Sequence, residues 1–127
     1  MRTASAVRTV LATDGAVVTK AALRAADRLG LSNRVLSRVL GLSEASVSRM
    51  GTGSFVLSTG DKPFELALMF VRLFRSLDAI VGGDDDAARG WMESQNTALG
   101  AVPKEMIQTL PGLVNVVGYL DARRALV

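Results

Sequence analysis

The stretch Asn33–Met50, NRVLSRVLGLSEASVSRM, decides how this chain folds. Val35, Leu36, Val39 and Leu40 recur three and four residues apart, the period of an amphipathic helix. Ser32, just ahead of them, is a good N-cap. Gly41 breaks the pattern. Ser43 then caps a second short helix, Glu44 to Met50, anchored by Ala45, Val47 and Met50. Glu44 suits the positive end of that helix's dipole. Two such helices joined by Gly41-Leu42-Ser43 make a helix-turn-helix pair. Leu36, Leu40, Leu42, Val47 and Met50 sit where the pair touches itself, and small Ser37 where the helices cross. Gly41 falls where the sharp turn needs φ > 0, which glycine adopts cheaply.

The positions left facing outward on the second helix are Ser43, Glu44, Ser46, Ser48 and Arg49. Short polar groups with one arginine suit a helix lying in a DNA major groove. Arg49 is the candidate for a base contact, and Arg34, Arg38 and Lys20 for phosphate contacts, which position without specifying. Ser32 and the first amides of its helix can hold a phosphate. Glu44 argues against DNA unless it accepts from a cytosine amino group. A plain αα-hairpin is the alternative. Charge points the same way as the motif without deciding it. Residues 1–62 hold 9 Lys/Arg against 4 Asp/Glu, and residues 63–127 hold 6 against 8. A basic first half fits a polyanion, and ordinary solvated charge explains it equally well.

Working outward, Val18, Ala21, Ala22, Ala25, Ala26 and Leu29 predict a helix over Val17 to Leu29, stopped by Gly30. Residues 1–14 show no clean period and read as a flexible arm or a short helix. GTGSFVLSTGDK is a loop with a brief extended segment at Phe55 to Leu57. Asp61, Pro63 and Glu65 open a long helix reaching about Ile80. From Phe64 to Phe74 only Glu65 and Arg72 are not apolar, so this helix is a central core element, a subunit interface, or both. Asp84-Asp85-Asp86 start a helix carrying Ala87, Ala88, Trp91 and Met92. Pro103 opens a short one, and a last helix runs from about Leu113 to Arg124. With no repeat and no strand pattern, the fold class is all-α. The chain divides into an arm (1–14), a helix-turn-helix domain (15–60), a connecting or dimerisation helix (61–81) and a small helical domain (82–127).

The 127 residues include no Cys and no His, which removes thiol and imidazole chemistry, disulfides and Cys/His zinc sites. Apolar residues make up 49 % and charged ones 21 %, enough for a core and unlike a disordered tail. Three consecutive aspartates at a helix start diverge, so capping is their expected role, not metal binding. GTGSF lacks the strand and lysine of a phosphate loop, and Ser94 has no base beside it. The expectation is a protein that binds and does not catalyse, with no cofactor and no metal. Arg2, Arg8 and Asp14 interrupt the first apolar stretch, and Leu66–Val71 is far short of the roughly 20 residues of a spanning helix. A cytoplasmic setting without membrane contact is expected.

LGLSEASVSRM resembles the Xre-type, lambda-repressor-like helix-turn-helix. Ala88, Trp91, Asn96, Leu99, Gly100, Pro103, Glu105, Thr109 and Gly112, followed by LVNVVGYLDARR, resemble the toxin-binding domain of Xre/MbcA/ParS antitoxins. Gln95 stands where many relatives have Pro, and Ala101-Val102 also departs from their pattern. The resemblance implies an antitoxin of a type II toxin–antitoxin pair. Such a protein blocks a RES-domain toxin that attacks NAD, and the complex binds operator DNA to repress its own promoter. A free-standing transcription regulator without a toxin is the rival, and a module that no longer binds DNA is another.

Read from the residues, Trp91 is expected in the core with its indole N–H on a carbonyl. Asn96 stabilises a turn. On the last helix Leu110, Leu113, Val114, Val117 and Leu120 are expected to face inward. Val116, Tyr119 and Val127 then lie off that stripe beside Arg123 and Arg124. An apolar patch rimmed by arginine has the look of a partner surface. The expected toxin-binding residues are therefore Val116, Tyr119, Arg123, Arg124, Leu126 and Val127. Either the Arg123–Val127 end reaches into a cleft that holds an anionic dinucleotide, or it is a solvated terminus. Because single helix-turn-helix modules gain specificity by pairing on two half-sites, a homodimer is expected, through the 63–81 helix or the second half.

Overall fold

The computed structural model describes the backbone of residues 4–126 and the side chains of residues 14–126. Among these residues the chain is all-α. Its helices are α1 (Ala4–Arg28), α2 (Asn33–Leu40), α3 (Glu44–Thr52), α4 (Lys62–Ile80), α5 (Asp85–Glu93), α6 (Pro103–Met106) and α7 (Leu110–Arg124). The nearest approach to a strand is one antiparallel bridge between Asn96 and Ala101.

The helix-turn-helix forms as its residues dictate. Ser32 Oγ accepts from the Val35 amide and Ser43 Oγ from the Ser46 amide, so each helix starts on a side-chain cap. Gly41 takes φ 69°, and the Leu42 amide reaches back to the Ser37 carbonyl at 2.9 Å. That bond closes α2 with a left-handed C-cap. Leu36, Leu40, Val47 and Met50 are buried as expected, and so is Ser37. Ala45 is instead exposed.

The first helix is longer than its apolar stripe. Its inward residues Ala22, Ala25, Ala26 and Leu29 are buried, yet the helix runs unbroken from Ala4. Ala4, Ala6, Arg8, Leu11 and Ala12 favour helix without proline to stop it, so propensity carries on where periodicity fades. The 53–61 connection lies back on α1. The Leu57 amide donates to Thr19 Oγ1 at 3.0 Å, and that hydroxyl donates to the Gly15 carbonyl at 2.7 Å. Leu57 is buried there without pairing as a strand.

The long apolar helix is the centre of the molecule. α4 packs against α1, α2, α5 and α7, and Ala67, Phe70, Leu73 and Leu77 have no exposed surface. Burying side chains of this size contributes about 1.5–3 kcal/mol each. Asp61 sits at its N-cap in an extended conformation without a side-chain capping bond. Leu68 points outward, 46 % exposed.

Two sets of contacts tie the second half to the first. Arg28, near the end of α1, donates to Asp78 of α4 at 2.8 Å and to Asp85 of α5 at 3.0 Å, with its guanidinium over the Phe74 ring. The hydrogen bond to Asp85 and the charge of Asp78 hold its pKa above the ordinary arginine value. The stability this contributes is lost only as pH rises past the arginine range. Arg89 of α5 donates to the carbonyls of Asp27 and Arg28, both at 3.0 Å, capping the end of α1. On the opposite flank Asp121 of α7 accepts from Ser76 at 2.9 Å and pairs with Arg72.

Candidate nucleic-acid and protein interfaces

The outward side of α3 carries a hydrogen-bonded row. Ser43 Oγ donates to Ser46 Oγ at 3.0 Å, and Arg49 Nη2 donates to the same oxygen at 3.2 Å. Residues three apart on a helix are neighbours, so cap, serine and arginine line up along one edge. Arg49 is exposed and meets no carboxylate among the described residues. Glu44 and Ser48 are exposed one turn apart. Arg34 is exposed and unpaired among the described residues, beside exposed Ser32. Arg38 differs, because its Nη1 donates to Gln108 Oε1 at 3.3 Å. One of the candidate phosphate ligands thus already touches the second half.

That second half is built by its own caps. Asp84 Oδ1 accepts from the Ala87 amide and starts α5. Asn96 Oδ1 accepts from the Leu99 amide, while the Asn96 backbone bonds Ala101 and Gly100, so its turn role is the one observed. Pro103 opens α6. Thr109 Oγ1 accepts from the Gly112 amide and starts α7. Gly112 lies against the Met106 carbonyl so closely that a Cβ there would stand 1.9 Å from the oxygen.

The buried stripe of α7 is Leu113, Val116, Val117 and Leu120. Val116 is fully buried, which removes it from the expected toxin-binding surface. Leu110 and Val114, expected inside, are 50 % and 48 % exposed. Tyr119 is part-buried, Arg123 and Arg124 are exposed, and Leu126 is 84 % exposed. Val127 lies outside the described residues. Trp91 also departs from expectation. It is part-buried, and its ring stacks on Tyr119 with centroids 6.2 Å apart and planes at 17°. Its indole N–H makes no hydrogen bond among the described residues, and no buried side-chain polar atom lacks a partner, so that N–H faces water.

Residues 9–72 match the antitoxin Xre-like helix-turn-helix domain. The chain belongs to the Xre-like antitoxin family. The rest of the antitoxin fits that membership: residues 76–125 match the antitoxin Xre/MbcA/ParS C-terminal toxin-binding domain. No curated protein shows significant similarity to the chain. The antitoxin's helix-turn-helix is a DNA-binding element, and its C-terminal residues form a toxin-binding domain. Proteins of these families typically act by binding, not by catalysis. No helix among the described residues is long and apolar enough to cross a membrane, and no three carboxylates among them gather to hold a metal ion.

Sequence reading missed two groups in this antitoxin. The Arg28–Asp78–Asp85 cluster joins residues 50 and 57 positions apart, and no local pattern announces such a pairing. The Arg38–Gln108 contact spans 70 positions. Asp85 did carry a signal, since only the first of three consecutive aspartates is needed as a cap.

Proposed function

We propose that the antitoxin neutralises a RES-domain toxin, an NAD-attacking enzyme, through residues 82–127. As a homodimer it also represses its own operon, by seating α3 in the major groove. Residues 15–60 act as the DNA-binding unit, 61–81 as the connecting and dimerising helix, and the chain catalyses nothing itself. Arg49 reads a base, with Ser43, Glu44, Ser46 and Ser48 around it. Ser32, Arg34 and Arg38 hold phosphates. Tyr119, Arg123, Arg124, Leu126 and Val127 meet the toxin.

The observation that carries this reading is the exposed end of α7. Arg123, Arg124 and Leu126 are exposed at the end of the toxin-binding domain, and the two arginines make no salt bridge among the described residues. An exposed end that is both apolar and cationic is complemented by a partner surface that offers carboxylates and backbone carbonyls. Operon repression is supported by the exposed, hydrogen-bonded Ser43–Ser46–Arg49 row on α3, and dimerisation by Leu68, Leu110 and Val114, large apolar side chains left half-exposed. The test is growth rescue. Co-expression with the RES-domain protein encoded alongside restores growth with the full chain and fails with residues 122–127 removed. Equal rescue by the truncated chain contradicts the role given to the end of α7.

A further inference from the structure

We infer that Trp91, Tyr119 and Arg123 form a single stacked platform that anchors an acceptor-lined, acidic cleft of the toxin, with Trp91 of α5 as much a contact as the end of α7. This rests on the toxin-binding reading above. Trp91 and Tyr119 stack at 6.2 Å, and the Arg123 guanidinium lies over the same Tyr119 ring at 5.7 Å. Neither ring is fully buried, and Arg123 is exposed. The indole N–H, the phenol O–H and the guanidinium find no hydrogen-bond partner among the described residues, and none of these atoms is both buried and unsatisfied. A tryptophan placed only to fill a core has its N–H answered by the fold; this one is left for something else.

The chemistry of the platform selects its partner. Indole and guanidinium are donors only, and the guanidinium carries a full charge. What complements them is a surface of acceptors with negative charge, which a protein cleft supplies as carboxylates and backbone carbonyls. Nucleic acid also offers acceptors. The basic residues, however, concentrate in the other half, with 9 Lys/Arg against 4 Asp/Glu over residues 1–62, and that is the half to which a polyanion is drawn. The rings are already stacked before any partner arrives, so little rotamer freedom remains to be lost on binding. Trp, Tyr and Arg are also the residue types that dominate measured binding energy at interfaces.

Trp91 is the only tryptophan in the chain, so the antitoxin grown with 5-fluorotryptophan gives a single fluorine resonance from this site. Titration with the purified RES-domain toxin shifts or broadens that resonance, and the upstream operator duplex leaves it in place. Arg123→Ala, at an exposed position that does not support the fold, and Trp91→Phe, which keeps a ring but loses the donor, each weaken toxin capture by about tenfold or more without changing DNA affinity. A complex that forms with an unmoved resonance and undiminished Arg123→Ala affinity overturns the inference. Movement on adding DNA alone also overturns it, by assigning the platform to nucleic acid. If unlabelled wild-type chain captures no toxin, the parent reading falls and takes this one with it, a failure seen before any variant is made.

Discussion

Ser46 accepts hydrogen bonds from both Ser43 and Arg49, so the direction of the arginine is tied to the cap of the helix that carries it. A side chain held this way loses less freedom when it meets a base edge. Arg49→Ala is expected to weaken operator binding by about 1–3 kcal/mol, the range of one bidentate arginine–guanine pair, and to leave binding to unrelated DNA nearly unchanged. Arg34→Ala is expected to weaken both equally and to lower the slope of log K against log salt by about one per protomer. Fluorescence anisotropy on the two duplexes at several salt concentrations separates these outcomes. Uniform loss on Arg49→Ala would reassign that residue to phosphate. At this scale the caps of α2 and α3 and the outward face of α3 were legible in the sequence, because they depend on residues three or four apart. Arg38 was not, because its partner Gln108 arrives from the other half of the chain.

Among the elements, α7 shows where periodicity runs out. Leu110, Leu113, Val114, Val116, Val117 and Leu120 cover so much of the helix that two inward stripes fit the spacing equally well. The structure selects Leu113, Val116, Val117 and Leu120. The choice follows from the start of the helix. Thr109 caps it and Gly112 packs on the Met106 carbonyl, and together these fix its rotation against α6. Gly112→Ala places a methyl where that carbonyl stands, so urea unfolding is expected to show a loss of about 1–3 kcal/mol, the cost of overpacking a tight contact. Gly118→Ala, on the open side of the same helix, is the control expected to cost nothing, since no described atom beyond its chain neighbours and its own helix backbone lies within 4 Å of the added carbon. The central place of α4 was legible, because a helix apolar on nearly every side has to be covered on several.

Across the whole molecule, Arg28, Asp78, Asp85 and Arg89 join α1, α4 and α5, Ser76, Arg72 and Asp121 join α4 to α7, and Arg38 of α2 meets Gln108. The helix-turn-helix and the toxin-binding domain thus share one central helix and one continuous core. These long-range pairs are what a single sequence conceals, since each partner alone reads as a solvated charge. Arg49 belongs to α3 and the Trp91–Tyr119–Arg123 stack to α5 and α7, with no residue in common, so both partners are expected to bind together. Sedimentation velocity of the antitoxin with fluorescein-labelled upstream DNA and the RES-domain toxin tests this most directly. Labelled DNA is expected to sediment faster with antitoxin, and faster again when toxin is added; DNA that gains nothing from the toxin, or is released by it, contradicts simultaneous binding.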